Sequence, residues 1–175
     1  MASVVARDGL AKTTIANVAA AAGLQRTLVL HYFGDRRGLM EAFINEAVAV
    51  YGERMLLVDG TEPIETRLDR LFEPGAYQRR DDLVIWTDLV AQSARDEVVR
   101  QRLHDLWTHR WFPEIERQLA TARPHAQPAQ VTQVAYALAC LVEAHWAFHL
   151  QGLDDTLRRQ QAQQAARTLL ATLPD

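Results

Sequence analysis

The sequence has one cysteine, no long apolar run and no large excess of charge of either sign. A single cysteine, Cys140, excludes an internal disulfide and is typical of proteins from reducing compartments. The longest uninterrupted apolar run, Val134 to Val142, is far shorter than the roughly 20 residues of a membrane-spanning helix. Residues 1–10 lack the basic and then apolar pattern of a signal peptide. We therefore expect a cytoplasmic protein without a membrane partner.

The formal net charge of −3 excludes a strongly basic protein that attracts nucleic acid over its whole surface. The charge is uneven along the chain, however. Residues 1–50 carry five Lys or Arg against four Asp or Glu, whereas residues 51–175 carry fourteen against eighteen. The first part is thus +1 and the remainder −4, which sum to the total of −3. This asymmetry indicates that an anionic partner meets the N-terminal part of the chain.

Glycine and proline are also scarce, and most of them stand where helical patterns stop. No strand-like alternation persists, and apolar residues recur at helical spacing throughout. The sequence therefore predicts an all-α fold with about nine helices. Thr13 and Asp35 are predicted to be N-caps, and Pro113 is predicted to bend the seventh helix. The predicted bounds are Ala2–Arg7, Thr14–Ala22, Gln25–Tyr32, Arg36–Val58, Glu62–Phe72, Asp81–Ala94, Glu97–Ala122, Ala129–Gly152 and Asp155–Leu173.

Two short helices near the N-terminus are joined by a tight turn that contains Gly23. The first, Thr14–Ala22, places apolar and small side chains such as Ile15 and Val18 on one face. The second, Gln25–Tyr32, follows at once. Two short helices in this arrangement predict a helix-turn-helix, whose second helix enters the major groove of DNA.

An apolar triplet, residues 28–30, divides between the two sides of the second helix when residues are placed 100° apart. Leu28, Val29 and Tyr32 are predicted to face inward, whereas Arg26, Thr27, Leu30 and His31 are predicted to face outward. An outward Leu30 can pack on a thymine methyl group, and Arg26 can reach a guanine edge or a phosphate. Arg36, in the first turn of the next helix, is predicted to bind a phosphate.

The stretch TTIANVAAAAGLQRTLVLHYFGDRRGLMEAF, Thr13 to Phe43, resembles the helix-turn-helix of the TetR family of transcriptional regulators. The resemblance implies a homodimer that binds a palindromic double-stranded operator and is released by a small-molecule effector. It divides the chain into a DNA-binding domain, residues 1–44, and a ligand-binding and dimerisation domain, residues 45–175. By position, it places DNA contacts on Thr14, Gln25, Arg26, Thr27, Leu30, His31 and Arg36.

The sequence departs from this family in two places. Many members have Ser at position 25, where it caps the helix, and Tyr at position 30; Gln25 is a poorer cap and Leu30 cannot donate to a phosphate. Members also begin their first helix about ten residues earlier, often after a basic arm, so the first helix is expected to be short here. Truncation, a misassigned start codon and a short first helix all remain open as explanations.

The helix predicted at 129–152 is apolar on both sides and is therefore expected to be buried on both sides. One face is large and ends in two histidines: Val131, Val134, Leu138, Leu141, Val142, His145 and His149. The other consists mostly of small residues and is predicted to form the dimer interface, with the last helix completing a four-helix bundle: Tyr136, Ala137, Cys140, Ala144 and Ala147. The alternative is that both faces pack against helices of the same subunit.

A mostly apolar set of bulky side chains with a few polar groups is typical of a small-molecule site. The predicted effector site consists of Trp86, Trp107, Trp111, Leu138, Val142, His145 and His149. His145 and His149 also have the i, i+4 spacing of metal ligands, but Cys140 and Glu143 point away from them and no third ligand is near. No metal or other cofactor is therefore expected.

No glycine-rich phosphate loop, nucleophile elbow or base–nucleophile spacing is present, so an enzyme is not expected. The sequence favours a ligand-responsive, dimeric DNA-binding repressor. The alternative is a helical small-molecule-binding or metal-binding protein that has lost DNA binding. The short first helix and the apolar residue at position 30 are the features that keep this alternative open.

Overall fold

A computed structural model describes residues 1–55, 62–76 and 80–174 of the chain. Within these ranges every regular element is helical, which confirms the all-α prediction. The helices are α1 Ala2–Asp8, α2 Ile15–Ala22, α3 Arg26–Phe33, α4 Arg36–Met55, α5 Ile64–Arg70, α6 Arg80–Ser93, α7 Glu97–Leu106, α8 Phe112–Ala122, α9 Pro128–Leu150 and α10 Thr156–Leu170. A π-helical turn, Trp107–Trp111, joins α7 to α8.

The predicted seventh helix is interrupted before its proline rather than bent at it. Its two halves, α7 and α8, are separated by the π-helical turn Trp107–Trp111. Pro113 lies in the first turn of α8, where a missing backbone N–H leaves no hydrogen bond unmade. When α7, the turn and α8 are counted as one helix, the described residues contain the nine helices that the sequence predicts. The predicted last turn of α4, beyond Met55, lies outside the described residues.

The N-cap of α2 is Thr14, so the prediction of Thr13 is wrong by one residue. The Oγ1 atom of Thr14 accepts a hydrogen bond from the backbone N–H of Asn17 over 3.1 Å. Thr13 is buried instead, and its hydroxyl donates to the carbonyl oxygen of Gly9 over 2.8 Å. At the start of α4 the prediction is confirmed, because Oδ1 of Asp35 accepts from the N–H of Gly38 over 2.9 Å.

The chain forms two compact units, each made of two segments. The first unit comprises Met1–Tyr51 and Arg79–Leu106, and the second comprises Gly52–Gln78 and Trp107–Asp175. The helix-turn-helix therefore shares its unit with α6 and α7, which the sequence-based division assigns to the second domain.

The first unit has a small core at the helix-turn-helix. Val18 and Ala19 of α2 pack with Val29 of α3 and Leu39 of α4, and Met1 and Ile15 close the cluster at its edge. The α1 helix buries its own apolar residues and packs on α6. The orientation of α3 follows from this cluster, because Val29 packs against residues of both α2 and α4.

The second unit is built around α9, which packs against α8 and α10. Its buried side chains are Val131, Val134, Ala135, Leu138, Ala139, Val142 and Trp146. The indole Nε1 of Trp146 donates to the carbonyl oxygen of Leu71 over 3.0 Å, which ties α9 to the end of α5. None of the helices in the described ranges combines the length and the apolar character that crossing a membrane requires.

Candidate nucleic-acid interface

The turn between α2 and α3 is fixed by backbone hydrogen bonds. Gly23 has φ 66° and ψ 25°, the left-handed conformation that glycine adopts without steric cost. The N–H of Leu24 donates to the carbonyl of Ala19 over 2.9 Å, and that of Gly23 donates to Ala20 over 3.2 Å. This pair of bonds is a Schellman motif, which ends one helix and sets the direction of the next. The angle between α2 and α3 therefore follows from the local sequence.

The orientation of α3 differs from the sequence prediction. Val29 is 3% exposed, as expected, but Leu28 is 39% exposed and Tyr32 is 73% exposed. Leu30, which was predicted to face outward, is half-buried. The prediction that Leu28 and Tyr32 face inward and Leu30 faces outward is therefore wrong. The helix is rotated so that its buried side lies between Val29 and Leu30.

The physical reason lies in the residues that follow the apolar triplet. An apolar pair at 28 and 29 shares its face with Tyr32, whereas a pair at 29 and 30 shares its face with Phe33. Phe33 and Leu28 are equally exposed, at 39% each, so the difference lies in Tyr32, which is 73% exposed and whose hydroxyl keeps its hydrogen bonds to water when it faces outward. The second arrangement avoids placing a phenol against the core, and it is the one observed.

The exposed side of α3 carries Thr27, Leu28, His31 and Tyr32, which we call the recognition face. Their groups are a hydroxyl, an isobutyl group, an imidazole and a phenol; the rings of His31 and Tyr32 lie edge to face with centroids 5.6 Å apart. Such groups can bind base edges, thymine methyl groups and phosphates in a major groove. Leu28 and Tyr32 are absent from the predicted contacts, although the chemical difference between Tyr32 and Phe33 could have identified them.

Three further predicted contacts lie exposed at the N-terminal ends of α2 and α3. Thr14 caps α2, Gln25 occupies the N-cap position of α3 without a side-chain capping bond, and Arg26 is the first residue of α3. Backbone N–H groups without intrahelical partners point out of helix N-termini and attract phosphates. These positions suit contacts with the DNA backbone more than with base edges.

Arg36 is engaged within the protein. Its Nε donates to the carbonyl oxygen of Thr13 over 3.1 Å, and its Nη2 donates to that of Leu10 over 3.3 Å. The N–H of Leu10 in turn donates to Oδ2 of Asp88 in α6. The guanidinium of Arg36 thus braces the loop between α1 and α2, and a phosphate would have to share it with two carbonyls. These bonds show a structural role for Arg36, whose side chain is nevertheless exposed, and its contact with a phosphate stays a prediction.

Four of the seven predicted effector residues come together in the second unit. Trp107, Trp111, Leu138 and Val142 line one cavity of about 30 Å³. The remaining lining residues come from α5, α8 and α9: Ile64, Leu68, Leu71, Ile115, Leu119 and Ala139. The sequence analysis missed this contribution of α5 and α8, because their apolar residues are indistinguishable from ordinary core.

The other three predicted effector residues lie elsewhere. Trp86 is buried in α6, in the first unit. His145 packs edge to face on Phe72, with ring centroids 5.2 Å apart, and His149 packs similarly on Trp146. Burial lowers the pKa of His145, with smaller contributions from His149 and Arg159. Neither histidine is among the residues that line the cavity.

The predicted dimer residues lie on the side of α9 that its own subunit leaves uncovered. Tyr136 is 62% exposed, and Cys140, Ala144 and Ala147 are exposed as well, with Ala137 half-buried. The prediction that this side packs outside its own subunit's core is consistent with these exposures. Across the described ranges, no three His, Cys, Asp or Glu side chains lie close enough to share a metal ion.

Comparison with known proteins gives a consistent result. Residues 2–43 match the sequence profile of the bacterial regulatory proteins of the tetR family. The HTH-type transcriptional regulator BetI 1 of Chromohalobacter salexigens is 30% identical over 166 residues, which cover 88% of this chain and 78% of that protein. The HTH-type transcriptional regulator BetI of Burkholderia thailandensis is 28% identical over 146 residues, covering 79% and 71% of the two chains.

Solved structures show the same fold over nearly the whole chain. A protein of Rhodococcus sp. assigned to the TetR-family transcriptional regulators superposes with a TM-score of 0.75 at 23% identity, covering 97% of this chain and 93% of that one. A TetR transcription regulator of Haloarcula marismortui gives a TM-score of 0.76 at 16% identity, with coverages of 99% and 93%. The matched proteins are transcriptional regulators and not enzymes.

Proposed function

Because the chain belongs to the TetR family of transcriptional regulators, we propose that it is a repressor that binds a palindromic operator as a homodimer and leaves it when a small molecule binds. The observation that carries this proposal is the recognition face of α3. It exposes Leu28 and Tyr32 on a helix whose other side is anchored by Val29. A regulator of transcription acts where the chromosome is, so the cytoplasmic location expected from the sequence belongs to the same proposal.

The proposal assigns a role to each residue of the recognition face. Leu28 packs on a thymine methyl group, Thr27 and His31 hydrogen-bond to base edges, and Tyr32 donates to a phosphate. Leu28 takes the role that the sequence assigned to Leu30, because Leu28 is the exposed member of the triplet. Thr14, Gln25 and Arg26 contact the DNA backbone beside it.

Dimerisation is proposed to use the uncovered side of α9 together with α10. Small side chains at Ala144 and Ala147 allow a second helix to approach closely. Apolar groups that are exposed in the single chain flank them, including Phe148 at 50% and Leu157 at 58% exposure. A four-helix bundle of two α9 and two α10 helices covers these groups. It also holds two recognition helices in a fixed relation, as half-sites about 34–36 Å apart require.

Release is proposed to begin at the cavity of the second unit. Trp107 lines that cavity and directly follows Leu106, the last residue of α7 in the first unit. A ligand that displaces Trp107 therefore acts on a covalent connection between the units. The coupling needed is modest, about 1–3 kcal/mol, as is typical of allosteric pairs. Linkage requires that operator DNA weakens ligand binding by the same factor by which ligand weakens DNA binding.

The test is a selection of operator sequences from random DNA, followed by fluorescence anisotropy with the selected site. We expect a palindrome bound by two chains, and we expect Leu28→Ala to reduce discrimination at one T position by about 1 kcal/mol or roughly fivefold. Val90→Ala is the matched control, since Val90 is a similarly exposed apolar residue, 43% exposed, on α6. Selection of no DNA at all would favour the alternative of a ligand-binding protein that has lost DNA binding.

A further inference from the structure

The cavity of the second unit is lined only by apolar and aromatic side chains. Its ten lining residues include no ionisable group, and the only side-chain polar atoms among them are the indole nitrogens of Trp107 and Trp111. Seven of these residues are buried, including Trp111 at 1% and Val142 at 2% exposure, and the other three, Leu71, Trp107 and Ile115, are half-buried. A ligand that enters this cavity exchanges water for hydrocarbon and aromatic rings.

The charged residues beside the cavity are already engaged with one another. Arg67, which follows Ile64 by one turn of α5, is 7% exposed, and its Nη1 donates to Oε1 of Gln118 over 2.9 Å. The Nε2 of Gln118 donates to Oε1 of Glu114 over 2.7 Å. Arg117 and then Gln118 hold the pKa of Glu114 at about 2, so this carboxylate stays ionised and bound to its partners.

This arrangement disfavours both charged classes of ligand. A cation in the cavity meets no carboxylate, and the nearest buried charge on α5 is the positive one of Arg67. A cation–π contact with the tryptophans replaces only part of the hydration that a cation loses on burial. An anion finds no guanidinium, ammonium or imidazole in the wall. An uncharged molecule avoids both costs.

The cavity as it stands is closed to such a molecule. Its volume of about 30 Å³ holds one or two water molecules and is far below the space of a ligand site. Trp107 is half-buried, whereas its neighbour Trp111, whose ring centroid lies 4.6 Å away, is fully buried. Trp107 also belongs to the π-helical turn, a geometry that recurs at functional sites. Leu71 and Ile115 also line the cavity and are half-buried, so three lining side chains have both a cavity side and a solvent side, and Trp107 is the one that belongs to the π-helical turn.

We infer that the effector is a compact, uncharged, largely apolar molecule and that Trp107 moves aside to admit it. This inference rests on the proposed function, since it names the chemical class of the effector of that same cavity. The ten lining residues supply the affinity through apolar burial, and their lack of ionisable groups supplies the discrimination against charge.

The test uses two probes of nearly the same shape and size that differ in charge, tert-butylbenzene and phenyltrimethylammonium. Binding to the full chain is measured by calorimetry and by quenching of tryptophan fluorescence, without DNA. We expect tert-butylbenzene to bind at least about tenfold more tightly than the cation. Equal or tighter binding of the cation, or no binding of either probe, would overturn the inference.

Variants locate the bound probe. Ala139→Phe fills the cavity and is expected to abolish binding, whereas Ala120→Phe, the same change at an exposed position of α8, is expected to leave it intact. Circular dichroism checks that each variant folds. Trp107→Ala removes the gate and is expected to speed association of tert-butylbenzene by severalfold. An unchanged association rate in Trp107→Ala, or retained binding in a folded Ala139→Phe, contradicts the proposed site.

The probes also separate this inference from the proposed function. If tert-butylbenzene binds at the cavity but does not release operator DNA, the preference of the cavity for uncharged ligands is supported and the proposed release mechanism is wrong. If a charged compound releases DNA while its binding survives Ala139→Phe, the effector site lies elsewhere and this inference fails.

Discussion

The two compact units use apolar side chains in opposite ways. In the first unit, a four-residue cluster of Val18, Ala19, Val29 and Leu39 holds α3, while Leu28 and Tyr32 are left exposed on its outer side. In the second unit, the bulky residues Trp111, Leu138 and Val142 face inward and enclose a cavity, although Tyr136 and Phe148 of α9 remain exposed. In the proposed function, DNA recognition by the first unit depends on the side chains that a fixed helix exposes, and effector recognition by the second unit depends on the cavity that its helices enclose.

The units also differ in where polar groups lie. In the first unit, Arg36 and Asp88 bind backbone groups of one loop through partly buried hydrogen bonds, and the buried polar residue in the described part of this unit is Thr13, which is uncharged. In the second unit, Arg67 and Gln118 are both buried, at 7% and 6% exposure, and bind each other. Breaking a buried polar pair is far more costly than breaking an exposed one. The same type of substitution should therefore affect stability more in the second unit and DNA binding more in the first.

The largest effect should come from Val29→Asp, which places a carboxylate in the small core of the first unit. An unpaired carboxylate buried at a 3% exposed position should cost about 4 kcal/mol or more of unfolding free energy. We expect operator binding to be lost, while tert-butylbenzene binding to the second unit persists. Calorimetric titration measures both. Loss of both activities would show that the two units do not fold independently.

Val90→Asp is the matched control for this experiment. It introduces the same charge into the first unit, but Val90 is 43% exposed on α6. Its carboxylate stays in water, so the change in unfolding free energy should be within about 0.5 kcal/mol. A large loss of stability in the control would mean that charge, rather than burial, causes the effect at Val29.

The sequence was sufficient for much of the fold, because local signals decide most helix ends here. Gly23 requires the left-handed turn and Asp35 caps α4, and both act within a few residues of the chain. The rotation of α3 was not predictable from the periodicity alone, because an apolar triplet spans about 200° and fits two orientations. Only the packing of Val29 against α2 and α4 selects one of them.

The candidate sites, too, could be predicted only where local sequence decides the structure. The small-residue side of α9 is exposed in the single chain, while its role as a dimer interface stays a prediction. The cavity was predicted only in part, because its lining comes from α5, the π-helical turn, α8 and α9, which are far apart in sequence. Trp86 and Trp107 look alike as isolated tryptophans, yet they lie in different units. Periodicity does not report which long-range partners a buried side chain meets.

The next largest effect should come from Arg67→Ala in the second unit. Removal of this guanidinium leaves the buried oxygen of Gln118 without its donor, and we expect a loss of about 3 kcal/mol in unfolding free energy. Arg110→Ala, an exposed arginine of the π-helical turn, should change it by less than about 0.5 kcal/mol. Urea denaturation measures both variants. Equal effects would contradict the contrast between buried and exposed polar groups.

A smaller effect is expected from Arg36→Ala, which loosens the loop between α1 and α2. The loss of two hydrogen bonds, to Leu10 and Thr13, should cost about 1–2 kcal/mol. Operator affinity should fall, but its dependence on salt concentration should not change if the carbonyl oxygens of Leu10 and Thr13, rather than a phosphate, are the partners of the guanidinium. A decrease of about one in the slope of log affinity against log salt would instead assign Arg36 to a phosphate.

Arg26→Ala should differ from Arg36→Ala in how the salt dependence of operator affinity changes, although both residues lie in the first unit. Arg26 is exposed at the start of α3, and among the described bonds its side chain has none that would hold it away from DNA. Its removal should reduce the salt slope by about one and leave stability unchanged. Affinity measurements from 50 to 200 mM salt separate the two arginines. The same slope for both variants would contradict their different roles.

The smallest effect concerns stability in acid, which should depend on the ionisation of Glu114 in the second unit. The hydrogen bond from Arg117, followed by that from Gln118, lowers the pKa of Glu114 from its ordinary value of 4.5 to about 2 in the folded second unit. The folded state therefore binds this proton less readily than the unfolded state does. The stabilisation is fully present above pH about 4.5 and is lost as the pH falls towards 2. The side chain of Glu114 is 30% exposed, so solvent screening keeps the effect small.

Glu114→Gln tests this contribution. We expect the variant to be slightly less stable than the unsubstituted chain at pH 7 and to approach it in stability as the pH falls from about 4.5 towards 2, because the carboxylate takes up a proton in this range and the amide does not titrate. Urea denaturation at a series of pH values measures the difference. Glu46→Gln, an exposed residue of α4 in the first unit, serves as the control and should change stability little at any pH. A difference for Glu114→Gln that does not shrink on acidification would mean that its carboxylate gains nothing from Arg117, and the contrast in polar groups between the two units would then rest on Arg67 and Gln118 alone.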